Sequence, residues 1–169
     1  MNKLTIELSE NNVGCYVNTN LKNINEEQTL EIKKLLNKHG VLFFKDQNLS
    51  PEEYISFASH FGKPAEYPML KPHKDFKDIY VIERKKSDKG IGFGVGAHTD
   101  SSYMNNPPRF TFLQAIQVPE EGKGNTLFYN QFLAYEALPN EMKNKIKNLK
   151  GIFSSLGKIA KTRVQREVE

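Results

Sequence analysis

The chain has 169 residues, 38% hydrophobic and 26% charged, with 11 Phe, 7 Tyr and a formal net charge of +4. That length fits one domain, residues 1–169, with a real core, and the composition excludes a disordered chain. No apolar run reaches the roughly 18 residues of a membrane span, the opening MNKLTIELSE lacks the apolar stretch of a secretory signal, and the single Cys15 excludes an internal disulfide framework and fits a reducing cytoplasm.

In chain order, LTIEL alternates apolar and polar, which predicts a strand over Leu4 to Leu8. NEEQTLEIKKLLNKHG predicts a helix with Leu30, Ile32, Leu35 and Leu36 as its apolar positions and Gly40 as its stop. The short apolar run VLFF, Val41 to Phe44, predicts a buried strand. SPEEYISFASHFG carries clear helix punctuation: Ser50 can cap, Pro51 suits the first turn, and Glu53 completes a capping box. Its Tyr54, Phe57, Ala58 and Phe61 fall on one face, and Gly62 and Pro64 end it.

Further on, Asp78 to Glu83 and Arg109 to Val118 read as strands, separated by a polar, glycine-rich loop. PEEGKG is a turn, NTLFYN another strand, LPNEMKNKIKNL a short amphipathic helix, and GIFSS one more strand. An order of β-α-β-α followed mostly by strands argues against a doubly wound sheet, which needs regular alternation. It predicts a mainly β fold with flanking helices around an antiparallel sheet. From Lys143 onward eight Lys or Arg stand against two Glu, so the rest of the chain is slightly acidic. A basic excess confined to one end reads as solvated surface rather than a nucleic-acid face.

The stretch GVGAHTDSSY holds the candidate chemistry. On extended backbone, residues two apart point the same way, so His98 and Asp100 can present an imidazole nitrogen and a carboxylate oxygen to one metal ion. Two histidines and one carboxylate on one face of an octahedral ion suit non-haem Fe(II) that must also bind a co-substrate and oxygen. The spacing alone is weak, because His73-Lys74-Asp75 repeats it in a proline-flanked, charged loop. His39 and His60 sit late in helices and read as structural or exposed. The glycines of GIGFGVG do not make G-x-G-x-x-G and precede no helix, which argues against a dinucleotide cradle.

The wider pattern adds specificity. HTD, the proline pair Pro107-Pro108, the apolar strand RFTFLQAIQV, the turn and strand GKGNTLF, and AYEAL follow one another in the order seen in the taurine dioxygenase (TauD/TfdA) family. Upstream, GVLFFKDQNLSPEEYISFASHFGKP is similar to the same family's N-terminal region, so the resemblance runs over roughly residues 28 to 155. It implies a double-stranded β-helix, or jelly roll, that binds Fe(II) and 2-oxoglutarate. It also implies O2-dependent hydroxylation of a small organic substrate, a carboxylate or sulfonate, coupled to decarboxylation of 2-oxoglutarate to succinate. By the same resemblance His98 and Asp100 match the first two iron ligands, and Thr126 matches a threonine that holds a carboxylate of 2-oxoglutarate. Ser101 and Ser102 are closer to the branch acting on aryloxy-carboxylates, and Tyr67 stands where taurine enzymes carry a substrate-binding histidine.

The resemblance also implies a third iron ligand, a histidine on a late strand, and beyond it an arginine for the far carboxylate of 2-oxoglutarate. No histidine follows His98, and Arg163 and Arg166 come too early to match that arginine. The expectation is therefore a partial jelly roll without its C-terminal strands. It would be an incomplete oxygenase, or a non-catalytic remnant that acts by association with a partner chain or as a homo-oligomer.

Overall fold

The computed structural model describes residues 4–11, 13–67, 70–89, 94 and 96–154. They fall into two compact units, residues 4–61 with 112–150 and residues 62–111 with 151–154.

Among the described residues, the first unit holds the helices and the sheet. Strand β1 (Thr5–Leu8) pairs antiparallel with β2 (Cys15–Asn18), which pairs in parallel with the two-residue β3 (Leu42–Phe43). The order β1-β2-β3 puts β2, with Cys15 and Val17 buried, in the centre. Burial pushes the Cys15 thiol pKa up, partly offset by Lys38, so this thiol is a core side chain rather than a nucleophile.

Helix α1 (Glu26–His39) starts at Asn25, whose side chain accepts from the Gln28 N–H at 2.8 Å while the Gln28 side chain accepts from the Asn25 N–H at 3.0 Å. Two otherwise orphaned N–H groups are thereby satisfied. The helix ends at Gly40, with φ at +78°. The buried stripe is Thr29, Ile32 and His39, with Leu35 and Leu36 packed against it. Leu30, expected on the apolar face, is exposed: it lies two positions from Ile32, across the helix from that stripe.

Helix α2 (Pro51–Ser59) has the expected capping box: Ser50 Oγ accepts from the Glu53 N–H at 3.2 Å, and Glu53 Oε2 accepts from the Ser50 N–H at 2.7 Å. That backbone bond, with the neighbouring Lys22 ammonium, holds the Glu53 carboxyl below its usual pKa. Phe57 is buried, and Tyr54 and Phe61 pack against the core. Gln47 staples the preceding loop, accepting from the Leu21 N–H at 3.0 Å and donating to the Thr19 carbonyl at 3.0 Å.

Two short helices follow late in the chain, α3 (Gln131–Glu136), capped by Asn130, and α4 (Asn140–Ile146). The first was not expected from the sequence; the second was.

Several predicted strands are not formed. Residues 109–118, 125–130 and 151–154 carry no ladder, and the segment from Asp78 makes only a single bridge, Pro72 with Tyr80. A strand is stable only against a partner strand, and the described residues supply none to these segments. Their outward apolar side chains meet water: Leu113 is 70% and Ile116 86% exposed. Among the described residues there is thus one small mixed sheet with helices. It is neither the antiparallel sheet nor the mainly β content predicted, and a second, facing sheet is absent from it. No helix among the described residues is long and apolar enough to cross a membrane.

Candidate metal centre

The second unit contains His98 and Asp100. His98 and Thr99 lie between a bend and a turn, and the turn that begins at Asp100 is tied by the Met104 N–H donating to the Ser101 carbonyl at 2.9 Å. No strand holds the pair, yet its side chains converge: His98 Nε2 is 3.2 Å from Asp100 Oδ1.

Each donor has an outer partner. His98 Nδ1 lies 2.8 Å from the Gly96 carbonyl oxygen. A carbonyl can only accept, so Nδ1 donates to Gly96, and Nε2 is the ring nitrogen turned toward Asp100. The Thr111 hydroxyl donates to Asp100 Oδ2 at 2.8 Å, which leaves Oδ1 on the histidine side. Such partners fix the tautomer and orientation of ligating groups.

The spacing suits a metal. Two donors bound at right angles to one ion, each at ~2.1 Å, stand ~3.0 Å apart, close to the 3.2 Å observed. The residues therefore fit as two adjacent donors. Among the described residues no third His, Cys, Asp or Glu joins them in a group that could hold a metal.

The other predicted residues are placed as follows. Tyr67 is half-buried, its ring 5.9 Å from that of Tyr80 and its N–H donating to the Tyr80 hydroxyl at 2.9 Å. Burial raises the Tyr67 pKa, and the neighbouring Tyr103 and Asp100 raise it further, so the structure brings Tyr67 into the field of Asp100. Ser101 is buried with φ at +52°, an uncommon conformation for a residue other than glycine. Ser102 is half-buried beside it. Thr126 is exposed in the first unit, on the irregular segment after the turn in which the Lys123 N–H donates to the Glu120 carbonyl. Most of the glycine-rich loop, residues 90–93 and 95, lies outside the described residues. His73 accepts from the Asp75 N–H at 3.2 Å within an exposed loop, as expected for a surface feature.

Two participants were missed. Thr111 reads in RFTFL as an ordinary β-branched strand residue, and only its contact with Asp100 marks it. Tyr103 follows the serine pair, and its hydroxyl is sealed from solvent with no hydrogen-bond partner among the described residues.

Known proteins resemble the chain over most of its length. The profile of the taurine catabolism dioxygenase TauD, TfdA family matches residues 11–167. Pentalenolactone F synthase of Streptomyces avermitilis is 31% identical over 131 residues, 73% of this chain and 43% of its own length. The alpha-ketoglutarate-dependent 2,4-dichlorophenoxyacetate dioxygenase of Cupriavidus pinatubonensis is 30% identical over 135 residues, 71% of this chain and 47% of its own. An alkylsulfatase of Acinetobacter baylyi is 29% identical over 158 residues, 92% of this chain and 47% of its own. The chain thus spans less than half the length of these relatives. With the match extending over nearly its whole length, the chain belongs to the TauD/TfdA dioxygenase family.

Proposed function

We propose that this chain is the portion of an Fe(II)- and 2-oxoglutarate-dependent oxygenase domain that carries the first two iron ligands, and that the whole hydroxylates a small anionic organic substrate, a carboxylate or sulfonate. The observation that carries this reading is the pair His98 Nε2 and Asp100 Oδ1 at 3.2 Å, each side chain held from behind by a hydrogen bond at its other polar atom. Bound iron and 2-oxoglutarate would supply the oxidising chemistry. His98 and Asp100 would hold the ion through an imidazole nitrogen and a carboxylate oxygen. The Thr126 hydroxyl, by the family resemblance, would hold a carboxylate of 2-oxoglutarate, fixing an anion without adding charge. Tyr67, Ser101 and Ser102 line the substrate side near Asp100. The names of the relatives, which include sulfonate and phenoxy-acid dioxygenases, support the substrate class. The buried lone thiol Cys15 suits a cytoplasmic setting.

The full chain, titrated anaerobically with Fe(II) and 2-oxoglutarate, is expected to develop the visible metal-to-ligand charge-transfer band. The band should need an excess of iron, because two protein ligands bind more weakly than three. His98→Ala and Asp100→Ala should abolish it. A band of unchanged strength in both variants would sink the assignment.

The exposed Leu113, Ile116, Val118, Leu127 and Phe132 favour a second reading alongside the first. Apolar faces of this extent seek cover, and the cover proposed is the rest of a jelly roll, on this polypeptide, on a partner chain or through a homo-oligomer. Size-exclusion chromatography with a thermal melt is the check. Self-association is expected; a clean monomer with a cooperative melt would count against any need for a partner.

A further inference from the structure

The two oxygens of Asp100 are not equivalent. Oδ2 accepts the Thr111 hydroxyl at 2.8 Å, and Oδ1 stands 3.2 Å from His98 Nε2. The last torsion of an aspartate is broad and two-fold, so a carboxylate without a fixed partner offers either oxygen. Packing does not hold this one, because the Asp100 side chain is 43% exposed. A hydrogen bond is the restraint that is present, and its donor is eleven residues away, beyond Pro107-Pro108. His98 shows the same arrangement, with the Gly96 carbonyl fixing the ring from the side opposite Asp100. Both donor atoms are thus held from behind while their free faces meet.

We infer that Thr111 is a positioning residue of the metal centre: its hydroxyl holds Oδ2 so that Oδ1 is the oxygen presented, beside His98 Nε2, to a divalent cation. The inference rests on the reading of His98 and Asp100 as donors. Its basis is a side chain that touches neither the ion nor the histidine. Thr111 is exposed, so replacing its hydroxyl by a methyl of the same shape disturbs no core.

The test uses the full chain and Mn(II), with free Mn(II) followed by its paramagnetic resonance signal. Thr111→Val should weaken binding roughly 10- to 100-fold, the range for loss of an outer-shell partner. Thr111→Ser, which restores the hydroxyl, should bind close to wild type, and both should keep the wild-type melting temperature. Thr111→Val binding as tightly as wild type, or Thr111→Ser binding as weakly as Thr111→Val, overturns the inference.

Asp100→Asn separates the two layers of the argument. If it binds Mn(II) as well as wild type does, the donor reading fails, and the positioning claim is decided on the metal-free protein. There the carbon-13 carboxyl resonance of Asp100, identified by its loss in Asp100→Asn, should shift in Thr111→Val and stay in place in Thr111→Ser. A resonance unmoved by Thr111→Val also overturns the inference.

Discussion

Replacing Phe57 with alanine is expected to lower the free energy of unfolding by about 3–5 kcal/mol. The side chain is 4% exposed and meets three rings edge-on, at centroid distances of 6.2 Å to Phe44, 5.3 Å to Phe61 and 5.6 Å to Phe112. Its removal leaves a hole that these rings cannot all close, because each is held by its own segment. The described core has only eight buried hydrophobic residues. A small domain has about 5–15 kcal/mol in total, so the loss is a large share of it. Ile116→Ala is the comparison: at 86% exposure in the single chain, the change stays within about 0.5 kcal/mol wherever that face is bare in solution. Urea unfolding followed by circular dichroism measures both. A loss under about 1 kcal/mol at Phe57 would mean that the aromatic cluster is not the core. An equal loss at Ile116 would mean that its face is covered in solution.

The contrast between these two residues shows what the sequence could convey about the fold. The first two long helices were legible because their signals are local. A capping box needs only four consecutive residues, and Ser50 with Glu53 makes it as read. The face containing Phe57 follows from helical spacing alone. Leu30 is apolar, but apolarity alone does not say which side of α1 meets the core, and that side carries Ile32, Leu35 and Leu36. Strands are the harder case, since an alternating segment becomes a strand only when another segment pairs with it. Arg109 to Val118 has the pattern of a strand, but it forms no ladder and bends at residues 109, 116 and 117. Conversely, Cys15–Asn18 was passed over in the sequence and is the central strand, because β1 and β3 both find it.

The site divides along the same line. His98 and Asp100 were legible from a two-residue spacing within a wider motif, and their convergence needs only the short path between them. Thr111 was not, because its role depends on a contact eleven residues away across a turn. Tyr103 gives no local signal, being an aromatic residue after two serines, and only its sealed hydroxyl, unpartnered among the described residues, sets it apart. Tyr67 could be nominated only through the family resemblance; its place in the field of Asp100 comes from the fold of the second unit.

Gly14→Ala should be among the most damaging single-methyl changes in the chain, costing about 2–5 kcal/mol. Two penalties add at this position. The backbone has φ at +86°, where a side chain costs roughly 1–2 kcal/mol. The new methyl would also lie 2.5 Å from Val41 Cγ1, 2.9 Å from Phe43 Cε2 and 2.9 Å from the Val41 carbonyl oxygen. That carbonyl accepts the Cys15 N–H at 3.2 Å, and Cys15 and Tyr16 are paired with Leu42 and Phe43 in the parallel ladder. Relief of the clash therefore means parting β2 from β3, and the overpacking adds about 1–3 kcal/mol. Gly40→Ala isolates the first penalty: its φ is +78°, but nothing lies within 4 Å of the added carbon. Urea midpoints for the two variants give the difference directly. If Gly14→Ala costs no more than Gly40→Ala, the close approach of residues 14 and 41 is not maintained in solution, and the junction of β2 and β3 must be looser than the packing around Val41 requires.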